Sequence, residues 1–365
     1  MSNLTRANIP TEFYDWTSSQ LLVQPEPQYT YADFLIRALG ISLNIPSAVG
    51  MPGRQISGTG PAYETSDTLM IEPDLISDGL VAAKIDFNGQ PGNVVRVNRP
   101  KYTDSAYQQA DRRIPVGTTI STTGIKIDGE QVPLVLDRFG GPHNGTTVAP
   151  YVLERFDSKM GLHDAVSRVG KHMKRDFHKT LDRFVRDLFD DGSSTLYPKN
   201  MTAANDATAK GMYPLDYETI SRVAKTMDES NLPTLGDGKR ILVVTPTGLK
   251  QLKDDPQFAR YAHDFESKNP LFQRYTELAY VIPEFYIFKS NTLDKTTNSS
   301  SVAIHNGHAI APGALGLGMG EPPRVANNTN DNYGESVPLV WLAYLAMQLL
   351  DNRMVVNVKY TEDVS

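Results

Sequence analysis

The chain contains no cysteine and no apolar run long enough to cross a lipid bilayer. Without cysteine there is no disulfide, no thiolate metal site and no cysteine nucleophile, which fits a protein made in a reducing compartment. The longest apolar stretch, Val337 to Leu350, contains Pro338 and Gln348 and falls short of the roughly 20 residues of a membrane span. The N-terminus also lacks the basic start and apolar core of a signal peptide. These absences predict a soluble protein with no membrane partner.

A strong net charge is missing as well. The chain has 36 basic and 42 acidic residues, which leaves a net charge of −6. This balance argues against a surface that binds nucleic acid tightly over the whole protein. A length of 365 residues with 40% hydrophobic content is ample for a core and predicts more than one domain.

Nucleotide-binding and catalytic motifs are absent from the sequence. No HExxH, G-x-S-x-G or kinase pattern occurs. A phosphate-binding loop needs a helix directly after its glycines, and the segment Glu321-Pro322-Pro323 cannot start one properly. We therefore do not read a nucleotide site in the cluster Gly313, Gly316, Gly318 and Gly320.

The histidines give only a weak metal signal. His305 and His308 are close in sequence but have no obvious third ligand. The sequence therefore predicts no catalytic residue, no cofactor and no metal. A competing hypothesis, an α/β hydrolase-type enzyme, would need a composite site in a deep pocket around His263, Asp264, His305 and His308.

A long amphipathic helix is predicted from about Asp157 to Asp191. Apolar residues recur at spacings of three and four along one stripe, namely Leu162, Val166, Val169, Met173, Phe177, Leu181, Phe184, Val185 and Leu188. The other face is mostly charged, so we expect a solvated surface with pairs such as Asp182–Arg186 and with His172 and His178 exposed. At about 1.5 Å per residue the helix approaches 50 Å, which indicates a flat, extended subunit.

Residues 1–80 are predicted to form an extended arm. Prolines are scattered through this segment and exclude a long helix or a central strand. One short helix is predicted, with Thr30 as its N-cap and Gly40 just after its end. An arm without a core of its own must lie on the rest of the subunit or on a neighbour.

Residues 81–140 are predicted to form a β-ribbon. Val81–Phe87 and Val94–Asn98 flank a turn-rich NGQPG segment, and Asp128-Gly129 reads as a two-residue hairpin turn. The tip has five basic and two acidic residues, a net +3 that suggests docking on an acidic partner surface, with a solvated loop as the alternative. Our candidate contacts between subunits are Arg96, Arg99, Lys101, Arg112, Arg113, Asp128 and Gly129.

After the long helix the pattern alternates between helix and strand. We predict a helix capped by Asp216, a buried strand over 240–245, and a helix started by Thr245-Pro246. A strand broken at Pro283 and a short strand at 302–304 follow. Residues 307–335 are predicted to be an irregular surface excursion. The segments 337–350 and 353–360 are predicted to pair as a C-terminal hairpin.

This order of elements resembles the major capsid protein of tailed bacteriophages, the Hong Kong-97 fold. RDFHKTLDRFVRDLFDDG looks like the end of that family's spine helix, and KRILVVTPTGLKQLKDDPQFARY looks like the strand–helix segment of its axial domain. AYVIPEFYIFKSNTL and VPLVWLAYLAMQLLDNRMVVNVKY look like later strands of the family. The resemblance covers roughly residues 80–360.

The resemblance implies an α+β fold with five parts. They are an N-terminal arm (1–80), an extended β-hairpin loop (81–140), a peripheral domain with the spine helix (141–204), an axial domain (205–335) and the C-terminal strands of the peripheral domain (336–365). Some family members form Lys–Asn cross-links. Lys101 and Asn357 are the right residue types, but we expect no cross-link between them.

The resemblance also implies a function. The chain is expected to self-assemble, as hexamers and pentamers, into the icosahedral head that encloses double-stranded DNA, and not to be an enzyme. Because the chain begins at Met1, without a cleaved delta domain, a separate scaffolding protein is implied. Further expected partners are a portal and a decoration protein, and the packaged DNA is expected to lie close to the chain without specific binding. The expected location is the virion, and the host cytoplasm during assembly. An encapsulin-like bacterial compartment shell is the alternative with the same fold.

Overall fold

The computed structural model describes residues 29–39, 80–87, 94–100, 129–144, 147–258, 278–327 and 336–362. The helices within these ranges are α1 (Thr30–Leu39), α2 (Arg155–Asp190), α3 (Tyr217–Glu229) and α4 (Pro246–Asp254). The first strands are β1 (Val81–Asp86), β2 (Val94–Pro100), β3 (Gly129–Val135), β4 (Asp137–Gly141), β5 (His143–Asn144), β6 (Thr147–Val148), β7 (Tyr151–Glu154) and β8 (Ser194–Leu196). The later strands are β9 (Arg240–Val244), β10 (Leu278–Val281), β11 (Phe285–Lys289), β12 (Lys295–Thr297), β13 (Ala303–Ile310), β14 (Leu315–Asn327), β15 (Ser336–Leu349) and β16 (Val355–Thr361). Short 3-10 turns occupy Ala204–Asp206 and Asn352–Met354.

Two mixed sheets organise these strands. The five-stranded sheet has the order β1-β14-β15-β4, with β7 pairing beside β4 on the same strand, β15. The seven-stranded sheet has the order β10-β11-β9-β13-β16-β8, with β12 added on β13. Strand β1 runs parallel to β14, so the expected ribbon between 81–87 and 94–98 does not form. Instead β2 pairs with β3, and Pro100 lies opposite Gly129.

A continuous two-stranded ribbon links the two sheets. β13 pairs with β16 in one sheet, and β14 pairs with β15 in the other. At the crossing between them, the N–H of Ala311 donates to the Met354 carbonyl at 2.9 Å, and the N–H of Leu350 donates to the Ala314 carbonyl at 2.8 Å. The predicted C-terminal hairpin is therefore wrong, because 337–350 and 353–360 lie in different sheets. The first segment pairs with β14 and the second with β13.

The predicted irregular excursion at 307–335 is also wrong in its first part. β13 continues to Ile310, and β14 is a strand of 13 residues. The error has a simple cause, because Leu315, Leu317 and Met319 alternate with glycines. Glycine weakens a strand in general, but here neighbouring side chains fill the space above it.

Helix α2 packs its apolar stripe against the five-stranded sheet. Met173, Phe177, Leu181, Val185 and Phe189 are at most 1% exposed. Phe177 meets the ring of Trp341 on β15 edge to face, with centroids 5.2 Å apart. The helix starts and ends within two residues of its predicted bounds. Among the described helices none is long and apolar enough to cross a bilayer.

The predicted caps of the α/β segment are confirmed. The Asp216 carboxylate accepts a hydrogen bond from the N–H of Thr219 at 2.8 Å, at the start of α3. The Thr245 hydroxyl accepts one from the N–H of Gly248 at 3.2 Å, with Pro246 as the first residue of α4. These helices cover the seven-stranded sheet, where all residues of β9 are buried.

An Asp216→Ala variant is expected to lose about 1 kcal/mol of unfolding free energy, the usual cost of removing an N-cap acceptor. Urea denaturation followed by circular dichroism measures it. Glu229→Ala, at the exposed other end of α3, is the control and should change the free energy by less than about 0.5 kcal/mol. Equal losses in the two variants would contradict the capping role.

Candidate assembly interface

The base of the β2–β3 hairpin has one covered face and one open face. Val95 and Leu134 are paired across the strands and pack in a cluster with Phe87 and Ala346, which fixes the hairpin to the five-stranded sheet. On the opposite face the paired Val94 and Val135 are 44% and 41% exposed. The hairpin therefore presents apolar surface to its surroundings on the side that faces away from its own subunit.

Helix α1 of the arm is part of the subunit core. Tyr31, Ala32, Phe34, Leu35 and Ala38 are at most 1% exposed. The Phe34 ring meets Phe288 of β11 edge to face at 4.9 Å, and α1 also packs along α2. The sequence left open whether the arm lies on its own subunit or on a neighbour, and for this helix the answer is its own subunit.

A buried carboxylate on α2 holds the start of α1. Asp182 Oδ1 accepts hydrogen bonds from the N–H groups of Tyr31 at 2.9 Å and Ala32 at 3.3 Å, and Oδ2 accepts one from the Thr292 hydroxyl. The first N–H groups of a helix have no partner inside the helix, and here a residue distant in sequence supplies one. Burial raises the pKa of Asp182 to about 6, against the lowering effect of these hydrogen bonds and of Arg186.

A second buried chain of polar groups joins the same three parts of the molecule. The Tyr31 hydroxyl lies 2.5 Å from Nδ1 of His308 on β13, and Nε2 of His308 lies 2.9 Å from Oδ1 of Asp190 on α2. Burial raises the pKa of Tyr31 well above its usual value, and the charges of Asp182 and Asp190 add to the effect. Burial opposes the ionisation of Asp190, but hydrogen bonds from His308 and Asn306 outweigh it and lower its pKa. The arm helix, the long helix and the seven-stranded sheet thus meet in one hydrogen-bonded core.

Three solved structures that are similar in fold to this chain come from phage capsids and heads. The head structure of Helicobacter pylori bacteriophage KHP40 matches 88% of this chain and 96% of its own, with a TM-score of 0.54 at 13% identity. The capsid of cyanophage P-SCSP1u matches 87% of this chain and 99% of its own, with a TM-score of 0.52 at 16% identity. The capsid of Ralstonia phage GP4 matches 86% and 99%, with a TM-score of 0.52 at 12% identity. No protein-family model and no curated protein matches the sequence.

The chain has the Hong Kong-97 capsid fold. The predicted α+β class and the predicted fold are thereby confirmed.

The candidate contact residues of this capsid fold are placed only in part. Arg96 is on the open face of the hairpin and donates to the Gln131 side-chain oxygen at 3.3 Å. Arg99 lies opposite Glu130 in the strand register, and Gly129 opposite Pro100. The strand that begins at Gly129 thus pairs with 94–100. Lys101, Arg112, Arg113 and Asp128 lie outside the described residues, as do the expected strand positions 125–127.

The two described histidines of the competing enzyme hypothesis, His305 and His308, do not share a site. His305 and His308 point to opposite faces of β13, as a spacing of three in a strand requires. His308 is buried against Tyr31 and Asp190, whereas His305 stacks on Tyr360 with centroids 5.6 Å apart. Burial lowers the pKa of His305, and nearby Lys295 adds to this effect. His263 and Asp264 lie outside the described residues.

One acidic cluster lies at the end of α2. Carboxylate oxygens of Asp187, Asp190 and Asp294 fall within 4.8 Å of one another. Arg186 bonds Asp187 at 2.5 Å and Asp294 at 2.9 Å, and His308 and Asn306 bond Asp190. Each of the three carboxylates is thus bonded by an arginine, histidine or asparagine side chain of the same chain.

Two expectations for the charged face of α2 are wrong. Asp182 and His178 are fully buried rather than solvated, and Arg186 bonds Asp187 and Asp294 instead of forming the predicted pair with Asp182. A signal for this was present in the sequence. His178 and Asp182 lead at spacings of four and three into Val185 of the apolar stripe and on to Phe189, so the buried face of the helix is wider than the predicted stripe.

Proposed function

We propose that this chain is the major capsid protein of a tailed bacteriophage, which self-assembles into the icosahedral head around double-stranded DNA. One observation carries the proposal: the chain shares its fold over 86–88% of its length with phage capsid and head chains that are themselves covered to 96–99%. A structural role without catalysis follows from that assignment.

The proposed assembly proceeds through hexamers and pentamers of this chain. The hairpin over 94–135 serves as the extended loop that reaches a neighbouring subunit, and its basic tip, with Arg112 and Arg113, meets acidic surface there. The exposed Val94–Val135 pair supports this role, because apolar surface on a projecting hairpin is available for a neighbour. Repeated weak contacts of this kind add up to a stable closed shell.

The proposed partners follow from the same assignment. A separate scaffolding protein guides assembly, a portal occupies one vertex, a decoration protein binds the outer surface, and the packaged DNA lies against the inner surface. We place the protein in the virion, and in the host cytoplasm during assembly. The arm (1–80), the peripheral domain (141–204 and 336–365) and the axial domain (205–335) are the proposed parts of the subunit.

The test is assembly of the expressed chain, alone and together with a candidate scaffolding protein from the same genome, followed by size-exclusion chromatography and negative-stain electron microscopy. Closed shells, sheets or capsomer rings are expected. A matched variant replaces residues 101–128 by Asn-Gly, a turn that can connect the opposed Pro100 and Gly129. It should stay folded by circular dichroism and form no shells.

Two outcomes would contradict the proposal. Subunits that remain monomeric in both conditions would remove the capsid function. Shells purified from cells that enclose a protein cargo rather than DNA would assign the chain to the compartment shells instead. Nuclease protection of the enclosed nucleic acid separates these cases.

A further inference from the structure

In its first half, strand β14 has one face without side chains. Gly316, Gly318 and Gly320 alternate along it, and residues two apart in a strand share a face. Added Cβ atoms at all three positions would meet neighbouring side chains closer than real Cβ atoms come. The nucleotide-binding hypothesis does not explain these glycines, because β14 is a sheet strand and not a loop before a helix.

The side chains nearest to this face come from both ends of the β2–β3 hairpin and from β15 and the residue after it, where Leu350 lies 2.9 Å from an added Cβ at Gly316 and Ala346 lies 3.2 Å from one at Gly318. A Cβ at Gly318 would overlap the ring of Phe87, which precedes the hairpin. A Cβ at Gly316 would lie 2.9 Å from Leu134, the buried residue near the end of β3, and one at Gly320 would lie 2.7 Å from Leu136, just after β3. The glycine face therefore receives the chain where it enters the hairpin and where it leaves.

We propose that Gly316, Gly318 and Gly320 are positioning residues for assembly: together they form a seat that sets the depth and tilt at which the hairpin leaves the subunit. The inference rests on the proposed capsid function, in which the hairpin tip contacts a neighbour. An added methyl group in a packed contact forces side chains and backbone to shift. Because β2 has seven residues, it extends about 20 Å, so a tilt of about 5° at the seat moves its far end by about 2 Å.

The central experiment compares shell yield with subunit stability in a Gly318→Ala variant of the full chain. We expect a roughly tenfold loss of closed shells, since every repeated contact of a displaced tip is weakened together. The circular dichroism spectrum of the unassembled subunit should stay that of the folded wild type, and the thermal midpoint should fall no further than in the control variant Gly248→Ala. In the double variant Gly318→Ala/Phe87→Leu the smaller side chain makes room for the methyl group, so shell yield should largely return.

Gly248→Ala is the matched control. Gly248 lies in α4, which covers the seven-stranded sheet, and an added Cβ there would be 2.5 Å from the hydroxyl oxygen and 2.7 Å from the ring of Tyr360. Like the methyl group at Gly318 it crowds an aromatic side chain, but away from the hairpin, so it should leave the shells intact. A loss of shells in the control equal to that in Gly318→Ala, or no loss in Gly318→Ala, would overturn the inference.

A second measurement reads hairpin position without assembly. The chain has no cysteine, so spin labels can be placed at Gln131→Cys on β3 and Lys179→Cys on α2, both exposed. Because Gln131 lies three residues, about 10 Å, from Leu134, the same tilt should displace the label distance in pulsed electron paramagnetic resonance by about 1 Å or broaden it in Gly318→Ala, and the double variant should restore it. An unchanged label distance in Gly318→Ala would refute the positioning role of the glycines, even if the wild type forms no shells. If the wild type does form shells and the label distance is unchanged, only the positioning role is refuted and the proposed capsid function stands.

Discussion

The Trp341→Ala variant is expected to lose about 3–5 kcal/mol of unfolding free energy, as large-to-small changes at fully buried aromatic positions do. Trp341 is 0% exposed between the five-stranded sheet and α2, and it packs on the ring of Phe177. Its indole N–H also donates to Asp176 Oδ2 at 2.8 Å, so the alanine variant leaves a half-buried carboxylate without that donor. Urea denaturation of the unassembled subunit, followed by circular dichroism, measures the loss.

Two companion variants separate packing from hydrogen bonding at Trp341. Trp341→Phe keeps a ring against Phe177 but has no donor for Asp176, so its loss should fall between those of wild type and alanine. Gln348→Ala, at an exposed position of the same strand, should change the free energy by less than about 0.5 kcal/mol. A Trp341→Ala protein within about 1 kcal/mol of wild type would show that α2 does not depend on this residue for its seating on the sheet.

The second large effect concerns the pH dependence of stability at Asp182. The carboxyl has a pKa of about 6 in the folded subunit, against 3.8 for an unperturbed aspartate. The folded state thus holds this proton more tightly than the unfolded chain, so the stabilisation is complete below pH 3.8 and is lost as the pH rises through 6. The difference amounts to about 3 kcal/mol. In Asp182→Asn this fall should disappear, and above pH 7 the variant should be at least as stable as wild type.

The asparagine variant keeps the geometry that Asp182 provides. Its amide oxygen can accept from the N–H groups of Tyr31 and Ala32, and its amide group can donate to the Thr292 hydroxyl. Asp182→Leu has neither group and leaves these N–H donors buried without an acceptor, at a cost of about 1–3 kcal/mol each. Leucine should therefore be the least stable of the three proteins at low pH.

Urea denaturation between pH 4.5 and 8 tests the linkage, with Asp191→Asn as the exposed control near the end of the same helix. Subtracting the curve of the asparagine variant from that of wild type isolates Asp182 from Asp190, whose lowered pKa acts in the opposite direction. Parallel curves for wild type and Asp182→Asn would contradict the raised pKa of the buried carboxyl.

Local signals in the sequence were enough for most of the helices. The caps at Asp216 and Thr245 depend on residues three positions apart or fewer, and both are as predicted. The long helix follows from its apolar period, since a stripe over about seven turns leaves no other regular structure. The buried strand at 240–245 and the strand at 279–289 with its break at Pro283 were also predicted, and β9, β10 and β11 lie there.

Strand pairing was less predictable, because partners distant in sequence decide it. The sequence around β16 would be the same whether this strand paired with β13, as it does, or with β15, as predicted. The glycines of β14 read as irregular chain, since the residues that cover them, Phe87, Leu134 and Leu136, lie about 180 residues or more away. The burial of Asp182 has the same origin: its partners in α1 lie 150 residues earlier in the chain. Of the candidate contacts, Arg96 was predicted to lie in the tip, but it lies within β2, because pairing with the distant strand β3 extends β2 to Pro100.

The ribbon that passes through both sheets gives the subunit a mechanical property. A two-stranded ribbon twists more strongly than a broad sheet does. Since β13–β14 and β15–β16 cross together at 311–314 and 350–354, this ribbon is a hydrogen-bonded connection through which a rotation of one sheet is passed to the other. Gly313, with a φ of +80°, lies at its bend. If the chain forms the proposed shell, we expect differences in local curvature to be taken up as twist in this short crossing, while each sheet keeps its own packing.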